Sequence, residues 1–458
     1  MNTKHYDSIV IGAGPAGIEA ARVLGKNGQK VALIERKAIG GTCVNRGCMP
    51  AKTMLYMSTL YRSLWDFAEY GIEIDLKHIK INYEKMVKQR TRVITSLQTA
   101  LTNELQQIGV DIYDGEAKVK SDFMVELSKG QKLTATNLVL ATGGRARKFP
   151  GFDDNDPRFL TSDHIFQLEH LPKSIAIVGG GPVGTEFATF YRAFGVEVTV
   201  IDMAPNLIGY YDEKLGHELG LRFEDQGIKL ELGTKIDSIN QTGKLLQISL
   251  DNGKTVEAEY ILSAIGVQVD TAYLQETDLT FDEKSGRILV DENYRTNHKH
   301  IYAAGDLIGR SGSAYGAERE ARYIAYKILG RDIDDCPVIY PQMPDVVFTY
   351  PEVATCGYDE RTLIAEGRKY KTVHGTFALN SKAHILQETE GRAWIYYAPE
   401  NGKILGVHVI GAHATEIIHQ VPAWLDNHYT LRDVKRLVWG HPVLAELLRD
   451  VIAHGNYS

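Results

Sequence analysis

Two stretches of the chain share one order of apolar and polar positions. Residues 7–35, DSIVIGAGPAGIEAARVLGKNGQKVALIE, begin with an apolar run, turn at glycines, continue with apolar residues at helical spacing, and end in a second apolar run and an acid. Residues 173–202, KSIAIVGGGPVGTEFATFYRAFGVEVTVID, repeat that order, and in both stretches the acid follows the first glycine by 23 positions. Each pattern predicts a strand, a glycine turn, a helix and a second strand. The repeat therefore predicts two nucleotide-binding βαβ units.

Other patterns occupy the chain between and after these units. Helical spacing predicts long helices at about 53–70 and 83–108, and alternation in AKVKSDFMVELSKGQKLTATNLVLATGG predicts antiparallel hairpins that turn at Gly130. Residues 149–173 are rich in Pro and Asp and are predicted to form a linker. From about residue 340, VVFTYPEVATCGY, GRAWIYYA and KILGVHVIGA predict an antiparallel sheet followed by helices. The expected fold class is α/β, with two Rossmann-like domains and a C-terminal α+β domain.

Composition narrows the class of protein. A chain of 458 residues is too long for one ordinary core, and 44% hydrophobic with 24% charged residues is typical of a globular protein in water. A net charge of −7 without a basic run argues against nucleic acid as a partner. No apolar stretch reaches the roughly 18–20 residues of a membrane span. The first residues enter a strand pattern without a signal segment, so a cytoplasmic location is the expectation.

The glycines of each repeat have separate expected roles. Gly12 permits the tight turn, Gly14 lets the backbone approach a pyrophosphate, and Gly17 lets the helix pack closely on the strand. The helix N-terminus offers free N–H groups to the phosphates, and Glu35 can accept hydrogen bonds from ribose hydroxyls. The corresponding residues of the second unit are Gly179, Gly181, Gly184 and Asp202. The alternative, a glycine turn that only packs a βα unit, is less favoured because the whole pattern occurs twice.

The residues after Asp202 bear on the nucleotide. They read MAPNLIGYYDE and contain no Lys or Arg. A 2′-phosphate requires cationic groups at this point, and an anionic Asp202 would repel it. The second unit is therefore predicted to bind NAD(H) rather than NADP(H).

Cys43 and Cys48 lie in the glycine-rich stretch GGTCVNRGCMPAK at 40–52. With 4 cysteines in the chain, a disulfide framework is excluded, and Cys336 and Cys356 are predicted to be buried, unreactive thiols. The close pair could be two core thiols, half of a metal site, or a redox pair. A metal site needs further ligands at usual spacing, which the neighbouring sequence lacks, so no metal is predicted.

A redox pair imposes a demand on the backbone. In a regular helix, positions five apart lie about 140° out of line. A disulfide between the two cysteines therefore requires a distorted first turn of the helix. Gly40, Gly41 and Gly47 lower the free energy of that distortion, because glycine adopts backbone conformations that strain other residues. A helix N-terminus would also supply the lowered thiol pKa that such chemistry needs.

The cysteine stretch resembles the redox-active disulfide motif of the flavin-dependent pyridine nucleotide–disulfide oxidoreductases. The segments LVLATGG, IYAAGD, FTYPEVATCGY and HPVLAE also match landmarks of that family in the expected order, so the resemblance covers essentially the whole chain. It implies that residues 1–149 and 269–338 bind FAD, residues 150–268 bind NAD, and residues 339–458 form a dimerisation domain.

The resemblance also implies roles for individual residues. Cys43 would be the interchange thiol that attacks substrate, Cys48 the thiol beside the flavin, and Lys52 would pair with Glu186 near the flavin ring. The further FAD-binding residues that it implies are Thr42, Lys52, Gly115, Thr142, Gly143, Asp306 and Ala314. The further NAD-binding residues that it implies are Glu186 and Gly266.

Thiol interchange needs a base, and histidine suits this near neutral pH. His441 precedes Pro442, a favourable first helical residue, so His441 is predicted to stand at the start of a helix with Glu446 five positions later. In the family that the chain resembles, this pair is the catalytic base and its orienting carboxylate, delivered from the other subunit. The resemblance therefore implies a homodimer with a shared active site.

The substrate is inferred by elimination within the family, and the pattern is most similar to the dihydrolipoamide dehydrogenases. That similarity implies oxidation of dihydrolipoyl groups with NAD⁺, with a lipoyl domain of a 2-oxoacid dehydrogenase complex as a possible partner. The chain departs from that pattern at Trp439, where His is usual, and at Met49, Ala51, Pro182 and Val267. The alternatives are an NAD(P)H-dependent reductase of another small disulfide, a quinone or a metal ion, and a non-catalytic FAD-binding redox sensor.

Overall fold

The computed structural model of the chain describes residues 3–331 and 337–458. The strands are β1 Lys4–Ile11, β2 Val31–Glu35, β3 Asp111–Asp114, β4 Ala117–Val119, β5 Val125–Leu127, β6 Lys132–Leu140, β7 Gly144–Ala146, β8 Phe159–Thr161, β9 Ser174–Val178, β10 Glu197–Asp202, β11 Lys229–Leu232, β12 Ile236–Thr242, β13 Leu245–Leu250, β14 Thr255–Ala258, β15 Tyr260–Ser263, β16 Val267–Val269, β17 Ile301–Ala303, β18 Asp345–Val347, β19 Glu352–Gly357, β20 Lys371–Thr376, β21 Arg392–Tyr397, β22 Ile404–Gly411 and β23 Asn456–Tyr457.

Helices cover and connect these strands. The α-helices are α1 Pro15–Lys26, α2 Gly41–Arg46, α3 Cys48–Asp66, α4 Tyr83–Gln107, α5 Pro182–Ala193, α6 Glu213–Asp225, α7 Ala314–Ile328, α8 Glu360–Ala365, α9 Ser381–Ile385, α10 Ala414–Ile417, α11 Val421–Asp426, α12 Leu431–Arg436 and α13 Leu447–His454. Short 3₁₀ helices lie at Leu76–His78, Ile165–Gln167, Ala272–Leu274, Gly305–Leu307, Tyr340–Gln342, Phe377–Leu379, Ile418–Gln420 and Leu444–Glu446. Among the described residues, none of the helices is both long and apolar enough to cross a membrane.

The first sheet is built around the first glycine repeat. Its order is β3-β2-β1-β6-β5-β4, and β17 also pairs with β6. Strands β3, β2, β1, β6 and β17 run parallel, whereas β4 and β5 form the predicted antiparallel hairpins. Helices α1 and α7 pack on each other and join the sheet in one apolar cluster. A parallel sheet covered by helices needs buried strands, which explains the nearly continuous apolar run of β2.

The second sheet carries the second repeat, with the order β11-β10-β9-β15-β8 and parallel pairing throughout. The prediction of a plain linker over 149–173 was wrong in part, because β8 lies within it and pairs with β15. The three residues of β8 are all buried. A run this short becomes a strand only through its distant partner, so local composition did not show it.

Smaller antiparallel elements complete the molecule. Strands β12, β13 and β14 form a three-stranded sheet, and β7 pairs with β16. The C-terminal sheet has the order β18-β19-β22-β21-β20-β23, with antiparallel pairing, and it packs on α10, α11 and α13 in a separate core. The predicted α/β class with a C-terminal α+β unit is confirmed. The predicted helix at 53–70 instead begins at Cys48 and ends at Asp66.

Candidate active site

The first glycine turn leaves open space at one of its three glycines. A Cβ on Gly12 would lie 2.4 Å from the carbonyl oxygen of Ala141, and a Cβ on Gly17 would lie 1.8 Å from that of Gly12. These two positions exclude any side chain because backbone passes directly against them. A Cβ on Gly14 would meet nothing within 4 Å, although Gly14 stands at the start of α1. The open space at a helix N-terminus fits a pyrophosphate that approaches the backbone, as FAD binding requires.

The second turn repeats this arrangement. A Cβ on Gly179 would lie 2.5 Å from the carbonyl oxygen of Ala264, and a Cβ on Gly184 would lie 1.9 Å from that of Gly179. Gly181, at the start of α5, again has nothing within 4 Å of a built Cβ. The same spaces at the same positions fit a second dinucleotide.

The acid of each unit holds its own glycine turn. Glu35 accepts hydrogen bonds from the N–H groups of Ala13 and Lys37, both at 2.8 Å. The equivalent contacts of Asp202 come from the N–H groups of Gly180 at 2.5 Å and Ala204 at 2.8 Å. Each carboxylate oxygen retains a lone pair for a ribose hydroxyl. Sequence reasoning assigned these acids to the ribose only and missed the second task.

Other residues expected to bind a nucleotide lie around the same turns. The N–H of Gly115 donates to the carbonyl of Glu35 at 3.0 Å, and Thr142 shares a 3.1 Å hydrogen bond with the hydroxyl of Tyr273. The remaining positions are Thr42 in α2, Gly143 after β6, Gly266 after β15 and Ala314 at the start of α7.

A buried carboxylate supports the turn that carries Asp306. Burial raises the pKa of Asp306, and the charge of Arg287 opposes that rise. Glu320, fully buried on α7, accepts hydrogen bonds from the N–H of Gly305 at 2.7 Å and from the hydroxyl of Tyr340 at 2.9 Å. Sequence reasoning missed Glu320, because only its contact with a turn fifteen residues away gives it this role.

The two cysteines lie on either side of a helix break. Helix α2 contains Cys43, helix α3 begins at Cys48, and Gly47 between them has φ −137° and ψ −108°. Gly41 has φ +56°, and a Cβ there would lie 2.5 Å from Cα of Gly14, so this segment packs directly on the first glycine turn. The distortion that the spacing predicted is therefore a break between two helices. Both cysteines are half-buried free thiols in the structure.

Electrostatics distinguishes the two thiols. A hydrogen bond from Cys43, helped by the charge of Lys52, lowers the pKa of Cys48 to about 7 against the opposing effect of burial. The same hydrogen bond, together with burial, raises the pKa of Cys43. The pair therefore shares one proton near neutral pH, with the thiol on Cys43 and the thiolate on Cys48.

Lys52 and Glu186 form an ion pair that joins α3 to α5. The Nζ of Lys52 lies 2.7 and 2.8 Å from the two carboxylate oxygens of Glu186. The N–H of Phe348 donates to Glu186 at 3.1 Å, and Lys52 lies 4.9 Å from the centre of the Phe348 ring. Glu186 is buried with its charge compensated, so it can hold the ammonium group close to Cys48.

Glu446 is a buried carboxylate surrounded by three groups that can donate hydrogen bonds to it. It accepts hydrogen bonds from the N–H of Val443 at 3.1 Å and from Arg449 at 2.7 Å, and it lies 3.1 Å from Nδ1 of His441. Burial acts to raise the pKa of Glu446, but these hydrogen bonds outweigh it and hold the pKa below its ordinary value. An ionised Glu446 therefore orients the His441 ring through Nδ1 and leaves Nε2 outside this contact.

The prediction that His441 stands at the start of a helix was wrong. The peptide between His441 and Pro442 is cis, and Val443 is extended with φ −137° and ψ 151° before the 3₁₀ turn Leu444–Glu446. Because the N–H of Val443 is held by Glu446, Pro442 remains outside the helix. The side chain of His441 is 64% exposed.

Cys356 and Trp439 lie among other side chains of the C-terminal domain. Cys356 is buried as predicted, and burial raises its pKa to about 12, whereas Cys336 lies outside the described residues. Trp439 packs edge-on against Trp424 at 6.3 Å between ring centres. Among the described residues, no group of three or more His, Cys, Asp or Glu side chains could hold a metal ion.

Comparison with known proteins agrees with this geometry. Residues 6–321 match the pyridine nucleotide-disulphide oxidoreductase family, and residues 343–452 match its dimerisation domain. The chain belongs to this family, and it is accordingly a flavoprotein disulfide oxidoreductase that uses FAD and NAD(H). The dimerisation domain supports a homodimer.

Individual relatives and solved structures are similar to nearly the whole chain. The chain is 32% identical to a dihydrolipoyl dehydrogenase of Chlamydia muridarum, covering 96% of this chain and 95% of that protein, and 30% identical to one of Bacillus subtilis, covering 97% of each. Crystallised LpdA of Mycobacterium tuberculosis superposes with a TM-score of 0.89 at 25% identity, covering 97% of this chain and 99% of that one. The HOCl-induced flavoprotein disulfide reductase RclA of Escherichia coli has the same fold, with a TM-score of 0.87 at 23% identity and coverage of 98% and 100%.

The two glycines at the start of α5 are expected to respond differently to alanine. Gly181→Ala places a methyl group in open space, so the free enzyme should keep its melting temperature while its Kd for NAD⁺ rises about tenfold or more. Gly184→Ala forces a methyl group onto the carbonyl oxygen of Gly179 at 1.9 Å, so it should lower the melting temperature itself. Thermal unfolding and nucleotide titration measure both quantities. Equal loss of stability in the two variants would contradict the assignment of open space at Gly181.

Proposed function

We propose that the chain oxidises dihydrolipoyl groups to lipoyl disulfides and reduces NAD⁺ to NADH. The observation that carries this proposal is the placement of the two thiols: Cys43 and Cys48 lie on either side of the break at Gly47, and Cys48 stands one helical turn before Lys52, which is ion-paired to Glu186. The curated relatives named dihydrolipoyl dehydrogenase over nearly the whole length support the choice of substrate. The reaction converts a substrate dithiol and NAD⁺ to a disulfide, NADH and a proton.

The exchange begins from a Cys43–Cys48 disulfide. His441, oriented by Glu446, takes a proton from one substrate thiol, and the resulting thiolate attacks Sγ of Cys43. The bond between the cysteines breaks, and Cys48 leaves as a thiolate stabilised by Lys52. The second substrate sulfur then attacks the first and releases Cys43, which recovers its proton from His441, while the second substrate proton passes to solvent.

The cofactors complete the electron balance. FAD, when bound, would accept the electron pair of the dithiol and pass it on to NAD⁺ as hydride. We assign FAD to residues 1–149 with 269–338, held by Gly12, Gly14, Gly17 and Glu35 with Thr42, Gly115, Thr142, Gly143, Asp306 and Ala314. We assign NAD to residues 150–268, held by Gly179, Gly181, Gly184, Asp202 and Gly266 with Glu186 at the nicotinamide end.

Residues 339–458 are proposed to complete the site of the other subunit. His441 is 64% exposed although its partner Glu446 is buried, and the neighbouring Val438 is fully exposed. A base that faces outward beside an exposed apolar residue is suited to an interface with a second copy.

The test compares two reactions of the purified flavoprotein. NADH formation from dihydrolipoamide and NAD⁺ is expected to exceed oxidation of NADPH by glutathione disulfide by at least about 100-fold in kcat/KM. If the enzyme does not turn over dihydrolipoamide but NADH still reduces its flavin, the proposed substrate is wrong, whereas the proposed electron transfer between nucleotide and flavin still holds. Failure of NADH to reduce the flavin would reject the proposed relay as well and favour the non-catalytic alternative.

Nucleotide choice gives a separate prediction. Asp202 has no Lys or Arg in the eleven residues that follow it, and its carboxylate would face a 2′-phosphate without compensation. We expect kcat/KM for NAD⁺ to exceed that for NADP⁺ by about 100-fold or more. The reason is that placing two negative charges next to each other in a binding site costs several kcal/mol of binding free energy. Asp202→Asn should narrow the ratio, mainly through KM. Equal use of both nucleotides by the unaltered enzyme would contradict this role of Asp202.

A further inference from the structure

Helices α4 and α5 carry buried polar side chains that the proposed reaction does not use. Tyr83 and Arg90 are seven positions apart on α4, which places them on one face two turns apart, and Tyr191 lies on α5. Their exposed fractions are 9% for Tyr83, 7% for Arg90 and 0% for Tyr191.

Four buried atoms of these side chains have no hydrogen-bond partner within the described part of the chain. The unpaired buried atoms are Nε and Nη1 of Arg90 and the hydroxyl oxygens of Tyr83 and Tyr191. Buried polar atoms in folded proteins are nearly always hydrogen-bonded, because an unmade bond leaves the cost of desolvation uncompensated. Several such atoms together therefore mark a place where a ligand completes the protein.

The packing joins the three side chains into one cluster. The guanidinium of Arg90 lies 5.5 Å from the ring centre of Phe166, which lies 5.5 Å from that of Phe187. Phe187 in turn lies 6.4 Å from Tyr191. Tyr83 and Tyr191 interact electrostatically with Arg90 and with each other. Tyr83, Phe166, Phe187 and Tyr191 belong to one buried cluster, and Arg90 lies over the Phe166 ring, so the donors lie in one region of the core.

The charge of the cluster identifies the class of ligand. Within the described part of the chain, Nε and Nη1 of the Arg90 guanidinium bond to no carboxylate. A water molecule would accept only two of the available N–H and O–H groups and would leave the positive charge unpaired. A halide accepts from several donors at once and neutralises the guanidinium.

We propose that Arg90, Tyr83 and Tyr191 bind a small monovalent anion, with chloride as the simplest occupant. The anion would tie α4 to α5 at the end of α5 opposite its N-terminus. Glu186 lies on the same helix, five positions before Tyr191, so the site stabilises the helix that presents Glu186 to Lys52. This site is independent of the identity of the disulfide substrate.

The first test measures halide-dependent stability of the FAD-saturated enzyme. Sodium bromide replaces sodium gluconate at constant ionic strength, and the melting temperature is expected to rise by about 1–3 °C and then level off. Tyr83→Phe, which removes one hydroxyl with little change in shape, should raise the half-saturating bromide concentration about tenfold. Arg90→Met should abolish the dependence, whereas Arg92→Met, at an exposed position two residues further along α4, should retain it.

A second experiment needs no variant, so its outcome does not depend on whether a variant folds. Anomalous scattering from crystals of the unaltered enzyme grown with bromide should place a peak within hydrogen-bonding distance of Arg90 and both tyrosines. Water at this position in such crystals would overturn the proposal. A melting temperature that responds to bromide equally in the unaltered enzyme and in Tyr83→Phe would overturn it too.

Discussion

Serine in place of Cys43 is expected to lower dihydrolipoamide turnover on the order of 10³-fold or more, with the FAD content of the protein unchanged. The substrate thiolate must attack a sulfur at this position and later displace it, and a serine oxygen cannot form or break that bond under these conditions. Flavin binding should persist because Cys43 is half-buried on α2 and the glycine turns do not depend on its sulfur. Steady-state NADH formation and the ratio of flavin to protein measure the two effects.

A matched control and a second variant make this result specific. Cys356→Ser changes a buried thiol that donates only to the carbonyl of Gln342, so it should keep normal turnover. Cys43→Ala removes the hydrogen-bond donor to Cys48, whereas Cys43→Ser keeps a donor in place. We expect the midpoint for alkylation of Cys48, near pH 7 in the reduced enzyme, to move to higher pH in Cys43→Ala and to move less in Cys43→Ser. Mass spectrometry of the Cys48 peptide measures this midpoint, and an identical midpoint in all three proteins would refute the shared proton.

The residues predicted most directly are those whose function is encoded locally. The glycine turns and their acids have fixed spacing within one βαβ unit, so Gly12, Gly179 and Asp202 were identifiable from sequence, and the fold class followed from them. Glycine content and cysteine spacing predicted a distorted first helical turn, and the structure instead has a break between two helices at Gly47.

Features that depend on distant parts of the chain escaped prediction. Strands β8 and β23 are short, and they and β20 gain their structure from partners elsewhere in the chain. The backbone N–H that holds Glu186 belongs to Phe348, 162 positions away, and it leaves no trace in local sequence. The extended backbone of Val443, which precedes the 3₁₀ turn Leu444–Glu446, also places His441 outside the helix that Pro442 suggested.

Glutamine in place of Glu446 is expected to reduce kcat for dihydrolipoamide oxidation about 100-fold, and His441→Gln about 1000-fold. Glu446 accepts hydrogen bonds from Val443, Arg449 and His441. A glutamine has an NH₂ group in place of one carboxylate oxygen, so its N–H would point at one of these three groups, which also donates, and that hydrogen bond would be lost. His441 would then lose both its orientation and the negative charge that stabilises its protonated form.

The pattern of effects separates catalysis from folding. If Glu446 acts through His441, the double variant should be no slower than His441→Gln alone, because removing the base leaves nothing for the carboxylate to orient. Additive losses in the double variant would contradict a joint role.

Stability of the same variant has its own dependence on pH. The pKa of Glu446 is held below its ordinary value in the folded protein, so its stabilising contribution is complete above the unfolded-state pKa of roughly 4.3 and is lost as pH falls through the folded-state pKa. Glu446→Gln should therefore melt below the unaltered enzyme at pH 7, and the difference should shrink on acidification below about pH 4. Arg449→Met, which leaves the histidine contact in place, should reproduce part of the stability loss while retaining most of kcat. A variant at Arg449 that lost kcat as fully as Glu446→Gln would instead show that the whole buried charge network, and not the carboxylate facing His441, sets the rate.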